Sequence, residues 1–501
     1  MSAGSPAVIT TRRQLWLIFS GLMLAMVLAS LDQSIANTAL PHMASDLGGL
    51  AHLSWVVTVF MLFSTITTPI YGKLGDMYGR RRLLVISILI FLGASMLCGM
   101  AQSMTQLILF RALQGCGAGG LLTLAQTIIS DVVSPRERGR YQGLFTGGFA
   151  FSAVAGPLIG GGLTTALSWR WIFYVNLPLG ALALALVLIG LRPTVPGKHH
   201  RIDYAGALLM AIAATATLLL FTLAGSEFAW LSPWAAGLAL TALIGWGLFL
   251  VQEKRAAEPM IDLKLFRIRS FSIGVFTMAM MAFAMMGAMV FVPLYFQLVM
   301  GFSPAEAGLL LLPQIAMMLV SSILGGRLSS RLGRPKPFMV CGIILEAFGL
   351  GGLGLLAFLQ APYPWFLVSL GVLGMGMGIA MPNATVVVQN AVPQSALGVA
   401  TGAMSFIRSL GGALGVAVSA GLMAMHLNAG LAGMAGEVDV HAIIDGGIMT
   451  IQALAPDMQA SITDAFGHAI AWSFLVSGVM MGLAALMAST LRGTELAEDI
   501  R

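Results

Sequence analysis

The chain has 501 residues, of which 58% are hydrophobic and only 9% charged, against roughly 25% charged in a soluble domain. So few charges cannot screen that much apolar surface from water, which excludes a soluble globular fold and makes lipid the main solvent. The formal net charge of +6 does not point to nucleic acid, because the cations stand in short clusters between apolar runs rather than on one face.

Arg12 and Arg13 precede the apolar run Leu15–Leu31. That pattern has the look of a secretory leader, but the run continues past Asp32 toward Pro41 and many similar runs follow, so it reads as a retained first span. Runs of about 20 residues are long enough to cross a hydrocarbon core. They lie at 15–40, 54–71, 83–101, 105–130, 140–164, 170–191, 204–224, 231–252, 271–299, 304–326, 337–359, 365–391, 397–425 and 469–491, predicting fourteen membrane helices. With the N-terminus counted as cytoplasmic, the even-numbered connections carry Lys73 and Arg80–Arg82, then Arg136, Arg138 and Arg140, then Arg192, Lys198 and Arg201. Lys254, Arg255, Lys264, Arg267 and Arg269 follow, then Arg327, Arg331, Arg334 and Lys336. Nearly all cations thus fall on one side, and the positive-inside rule makes both termini cytoplasmic. Arg170 is expected at an outer helix end, whereas Arg111 and Arg408 fall inside predicted helices 4 and 13. Cys98, Cys116 and Cys341 lie in apolar runs without metal-ligand spacing and read as small core residues.

The stretch Gly72–Arg82, GKLGDMYGRRR, reads as a short basic loop between predicted helices 2 and 3. A degraded copy, GRLSSRLGRPK, occupies Gly326–Lys336, with Gly72/Gly326, Leu74/Leu328, Gly79/Gly333 and Arg80/Arg334 in one register, 254 residues apart. A second echo pairs Gly139 with Gly398, Gly143 with Gly402 and Gly156 with Gly415. Six helices with their loops need only about 190 residues, so the surplus fits two extra helices between two parallel six-helix halves. The expected organisation is a cytoplasmic N-terminus (1–14), a six-helix bundle (15–191), a linker with two additional membrane helices (192–270), a second bundle (271–491) and a cytoplasmic tail (492–501). Within the second bundle, 426–468 is expected to be an outer loop. Ile443, Ile444, Met449, Ile451, Leu454, Met458 and Ile462 there predict short amphipathic surface helices.

Charges inside spans are costly and are functional candidates by default. Asp32, well inside helix 1, is either a proton carrier or a polar residue near the outer end satisfied by Ser34 or water. Arg111 stays charged in the bilayer and needs a partner, for which Asp32 and Gln114 are the candidates. Glu346, in the apolar GIILEAFGLGG, could recognise a cationic cargo, carry a second proton, or pair with Arg408 or a backbone group; Arg408 itself reads more as a brace of helix 13. Gly156–Pro157 with Gly160, Gly161 and Gly162 in helix 5 allow close approach and bending, as a hinge or a static seam. Met278, Met280, Met281, Met285, Met286 and Met289 crowd helix 9 with Phe283, Phe291 and Tyr295. Met285, Met289 and Tyr295 are candidates for an adaptable cargo pocket, with Asp32, Gln114 and Glu346 as its candidate polar contacts, the alternative for the methionine-rich helix being plain packing or lipid contact. No phosphate-cradling G-x-x-x-x-G-K-[ST] loop or metal cluster occurs in the sequence, so the expectation is no enzyme activity, no cofactor and no metal. An ion gradient is then the energy source, each charge crossing 100 mV being worth about 2.3 kcal/mol.

GKLGDMYGRRR resembles the signature between helices 2 and 3 of the major facilitator superfamily. LDQSIANTALP (Leu31–Pro41), RALQGCGAGG (Arg111–Gly120) and GPLIGGGL (Gly156–Leu163) resemble the accompanying signatures of its fourteen-helix drug:proton antiporters, and the likeness covers essentially the whole chain. The resemblance implies an all-α membrane protein with two six-helix bundles plus two extra helices. It assigns Arg111 to proton coupling and gives the GPLIGGGL motif to exporters rather than importers. It also implies a conformational latch of Gly72, Asp76, Gly79, Arg80 and Asp131, with Asp76 facing the N-terminus of helix 13, near Pro393–Gly398, where a helix dipole favours an anion, and Arg80 paired with Asp131. The plainer reading of that stretch is a topology signal. Ser330 stands where the first repeat has Asp76, Leu370 where it has Arg111 and Val416 where it has Pro157, so coupling is expected mainly in the first half. The resulting expectation is a monomeric, multi-pass, proton-coupled antiporter of the bacterial inner membrane. It would export lipophilic, chiefly cationic, small molecules, with protons and membrane lipids as its other partners and no nucleic acid. The alternatives are an exporter of an endogenous lipid or metabolite and, from another class, a non-transporting scaffold or sensor.

Overall fold

The computed structural model describes residues 12–48, 53–192, 202–224, 228–430 and 456–491. Lipid offers no partner for backbone N–H and C=O groups, so spanning segments close their hydrogen bonds within helices. Fourteen helices are long and apolar enough to cross a membrane, and no strand forms among the described residues. The first six are α1 (Arg12–Leu47), α2 (Leu53–Tyr78), α3 (Arg80–Met100), α4 (Met104–Val132), α5 (Arg138–Ala166) and α6 (Trp171–Gly190). The two additional helices are α7 (Tyr204–Leu223) and α8 (Pro233–Arg255). The last six are α9 (Arg269–Leu298), α10 (Glu306–Leu332), α11 (Pro335–Phe358), α12 (Tyr363–Asn390), α13 (Leu397–Gly430) and α14 (Pro456–Ser489). Starts are marked by local chemistry. Ser103 and Ser232 cap α4 and α8 by accepting from Gln106 N and Ala235 N, and Ser303 forms a capping box with Glu306.

The expected basic loop is almost entirely helical. α2 runs through Gly72–Tyr78 and α3 starts at Arg80, leaving Gly79 alone as the turn. Its φ of 93° is open to glycine and strained for other residues. The second copy repeats the device, with Gly333 at φ 66° between α10 and α11. The Gly79/Gly333 echo in the sequence is therefore a conformational requirement.

The outer connection also differs from expectation. α13 continues to Gly430 and α14 begins at Pro456, so much of the expected loop 426–468 is helix. Ile462 is buried with Leu427, Phe466 and Ala469, and Met458 packs against them, rather than lying on a surface helix. Ile443, Ile444, Met449, Ile451 and Leu454 lie outside the described residues.

Each half has its own core. Leu22, Phe91, Leu121 and Phe145 belong to one, and Phe271, Phe296, Leu350 and Phe474 to the other. α7 packs on α13 and α2, and α8 packs mainly on α7. The halves meet along two seams, α2 with α13 and α5 with α10. In the first, a Cβ on Gly72 would clash with the carbonyl of Gly398, and one on Gly402 would crowd Pro69. In the second, one on Gly326 would clash with the carbonyl of Gly139, and one on Gly143 with that of Ser322. The two glycine echoes of the repeat thus pack crosswise, each half laying its backbone on the other's.

Candidate functional site

Asp32 sits midway along α1 and is 1% exposed; Arg111 on α4 is fully buried. Arg111 Nη1 donates to Asp32 Oδ2 at 2.6 Å and to Gln114 Oε1 at 2.8 Å. Gln114, one helical turn from Arg111, donates from Nε2 to Asp32 Oδ1 (2.9 Å) and to Ser95 Oγ (2.7 Å). Asn176, at the start of the long piece of α6, donates to Asp32 Oδ1 at 2.6 Å and to Ser95 Oγ at 3.2 Å. The guanidinium also donates from Nε to the Val56 carbonyl (3.3 Å) and faces the Phe60 ring, 4.1 Å from Cζ, while its Nη2 is buried without a hydrogen-bond partner. Four helices and a carbonyl of α2 therefore converge on one acid–base pair sealed from lipid and water. Three donors converge on the Asp32 carboxylate, and loss of its charge would break the pair and free Arg111 to seek another acceptor. The composition alone singles out Asp32, Arg111 and Gln114. It passes over Ser95 and Asn176, although a lone amide in the run YVNLPLGALALALVLIG was a visible signal. Ser34, the alternative partner of Asp32, faces α5 instead.

A Cβ on Gly156 would clash with Ser34, and one on Gly160 would lie 3.1 Å from the Ile35 carbonyl oxygen. These two glycines seat α5 against α1 beside Asp32, whereas Gly161 has nothing within 4 Å and Pro157 is exposed. Gly156→Val is expected to wedge the seam apart at a cost of about 1–3 kcal/mol, while Gly161→Val should stay within about 0.5 kcal/mol. Thermal unfolding of the purified proteins reads the difference; equal losses would remove the seam from the account.

At the basic end, Asp76 accepts from the backbone N–H of Gly398 (3.1 Å, Oδ1) and of Val399 (2.9 Å, Oδ2), the first turn of α13. Arg80 donates to Asp76 Oδ1 (2.6 Å from Nη2), pairs with Asp131 and reaches the Gln394 carbonyl at 3.3 Å. An anion at a helix N-terminus joins free N–H groups and the dipole. On the pseudo-symmetric side, Ser330 Oγ accepts from Arg140 N at 2.8 Å in the first turn of α5. The second copy keeps the contact and lacks the charge. Between the two seams, Gln389 of α12 accepts from Ser130 (2.7 Å) and Gln142 (3.3 Å), and Arg138 donates to Asn390 and to the Ser130 carbonyl. The two halves are closed on each other at this end.

In the second half, Glu346 is 1% exposed, and its Oε1 has no hydrogen-bond partner. It shares a face of α11 with Gly342 and Gly349, and Gly376 of α12 leaves room for its Cγ, so it lies in the α11–α12 seam. Among the described residues no ion pair joins Glu346 to Arg408. The three residues expected to line a pocket divide. Tyr295 is buried and stacked on Phe366 of α12, with ring centroids 5.1 Å apart. Met289 is 59% exposed, and six residues of helix put it about 120° round from Tyr295. Met285, half-buried, shares the Met289 side. Tyr295 therefore belongs to the core of its half, against which the half-buried Met285 also packs, and the exposed Met289 stands apart. Among the described residues no group of three metal-ligating side chains occurs.

Comparison with known proteins follows the same lines. The family model for the Major Facilitator Superfamily matches residues 22–416. The chain is 37% identical over 413 residues to the multidrug transporter protein MdtP of Bacillus subtilis, covering 81% of this chain and 75% of that one. It is 32% identical over 484 residues to multidrug resistance protein 3 of the same organism, covering 93% of each. Among solved structures, the proton:xylose symporter XylE superposes with a TM-score of 0.60 at 15% identity, over 96% of this chain and 97% of that one.

Proposed function

The chain belongs to the major facilitator superfamily, and from that premise we propose that this multi-pass transporter exports lipophilic small molecules across a bacterial cytoplasmic membrane in exchange for protons. The observation that carries the coupling is the sealed Asp32–Arg111 pair with its amide and hydroxyl donors. It is a carboxylate whose protonation state governs an ion pair spanning α1 and α4, next to the Gly156–Ser34 contact that joins α1 to α5. Arg80, Asp76 and Asp131 act as the latch that keeps the basic end shut while the outer side is open, and Gly156–Pro157 supports outward transport through the resemblance to exporters. The relatives named as multidrug proteins support a cargo of drug-like, lipophilic character. A preference for cations would need an acid open to the cargo. Asp32 is paired and Glu346 is enclosed in a helix seam, so the charge of the cargo is decided elsewhere in the molecule.

The test is uptake of a fluorescent lipophilic dye into everted vesicles energised by respiration. Nigericin, which collapses the pH gradient, is expected to reduce accumulation, and nigericin together with valinomycin, which removes the membrane potential as well, to abolish it. Accumulation that survives both ionophores together would sink proton exchange, and release of dye in place of uptake would reverse the direction.

A further inference from the structure

Among the described residues, Arg408 is a charge deep inside a membrane helix that neither pair nor seam accounts for. It lies eleven residues into α13, about 16 Å from the basic end at 1.5 Å per residue. Its direction follows from its neighbours. Phe406, two residues back and so about 160° round the helix, meets Trp246 of the peripheral α8 at 5.8 Å. Thr401, seven residues back and on nearly the same side as Arg408, accepts from Gln389 of α12 at 3.3 Å, where the two halves join. Gly411 and Gly415 fit against the carbonyls of Ala279 and Phe283 on α9. Arg408 therefore points inward, between α9 and α12, away from α8 and lipid. It is nevertheless only half-buried, so the space it opens to lies inside the molecule, between the halves.

Among the described residues Arg408 makes no ion pair or hydrogen bond. The nearby Ser409 hydroxyl is spent on the Ser405 carbonyl (3.1 Å), and Met286 of α9 supplies apolar surface beside Gly412. A guanidinium at mid-membrane depth without an acceptor is expensive. Its planar fork matches a carboxylate, sulfonate or phosphate in two parallel hydrogen bonds.

We infer that Arg408 is the cargo-recognition residue of the crevice and that the preferred cargo is an amphipathic anion, its acid group on Arg408 and its apolar body along the methionine side of α9. The inference rests on the reading that the crevice carries the exported compound, and it reverses the charge expected from the acids in the sequence. Binding measured on the purified full-length protein tests it without any proton gradient, so failure of the coupling scheme and failure of this assignment are separable. The probes are 11-(dansylamino)undecanoic acid and its methyl ester, titrated by fluorescence against protein in phosphatidylcholine nanodiscs. The wild-type protein is expected to bind the acid about ten times more tightly than the ester. Arg408→Met should bring that ratio to about one, and Arg408→Lys, which keeps the charge and loses the fork, should leave an intermediate value. An unchanged ratio in Arg408→Met, or equal affinities in the wild type, would overturn the assignment; if the methionine variant does not fold, an unchanged ratio in Arg408→Lys does so. Discs containing phosphatidylglycerol distinguish the source of the anion: acid binding that persists there supports a cargo site, and loss of it to the lipid makes the occupant a headgroup and refutes the cargo role.

Discussion

Asp32→Asn is expected to leave a folded protein that no longer accumulates dye in everted vesicles, with the nigericin-sensitive rate reduced to background. The substitution nearly preserves shape and leaves oxygen for Gln114 and Asn176 to bond, but it removes the charge that balances Arg111. Breaking one side of a buried ion pair costs about 3–5 kcal/mol, so lost transport alone would not separate coupling from stability. The double variant Asp32→Asn/Arg111→Met separates them. With neither charge present, the penalty for an orphaned ion disappears, and thermal stability is expected to recover most of the single-variant loss. Proton-driven transport should stay at background, because no carboxyl group remains at the site. Recovery of nigericin-sensitive uptake in the double variant would show that Asp32 and Arg111 hold α1 and α4 together and do nothing more.

The second large effect is expected at the basic end. Asp76→Asn removes the anion from the first turn of α13 and the partner of Arg80. Hydrogen bonds to charged groups contribute about 1.5–3 kcal/mol, so the balance between closed and open basic ends should move by roughly 10- to 100-fold. Spin labels at Arg82→Cys and Ser395→Cys in a cysteine-free background report the separation of α3 from the start of α13. The wild-type distance distribution should be short and narrow, and Asp76→Asn should add a longer population. Superimposable distributions would remove Asp76 from the control of closure. Ser330→Asp is the reciprocal change, placing an anion at the first turn of α5 near Arg140 N and Arg136. It should restore part of the short population in the Asp76→Asn background.

How much of this was legible beforehand depends on the kind of signal each residue carries. The fourteen spans and the two inserted helices stand out because apolar runs and clustered cations are one-dimensional patterns. Asp32, Arg111 and Gln114 are conspicuous for the same reason, being polar where lipid forbids it. Ser95 and Asn176 complete the cluster without charge, and neutral residues carry no such contrast. The limits of the basic turns escape a reading that equates polar residues with loops, whereas Gly72–Tyr78 is helix and the other half satisfies the side chain of Asp76. Proximity in the chain groups Tyr295 with Met285 and Met289, whereas helical rotation turns the exposed Met289 away from Tyr295. The lack of a partner for Arg408 is a statement about three dimensions and has no trace in sequence.

The crosswise glycine contacts have a mechanical consequence. At Gly72–Gly398 and Gly326–Gly139 the halves touch backbone to backbone, so no side chain at these points must change rotamer before they can separate. What resists parting there is a handful of polar bonds and the entry of water, both quick to exchange. Interlocked leucines would make the same junction stick; bare backbones let it behave as a rolling bearing.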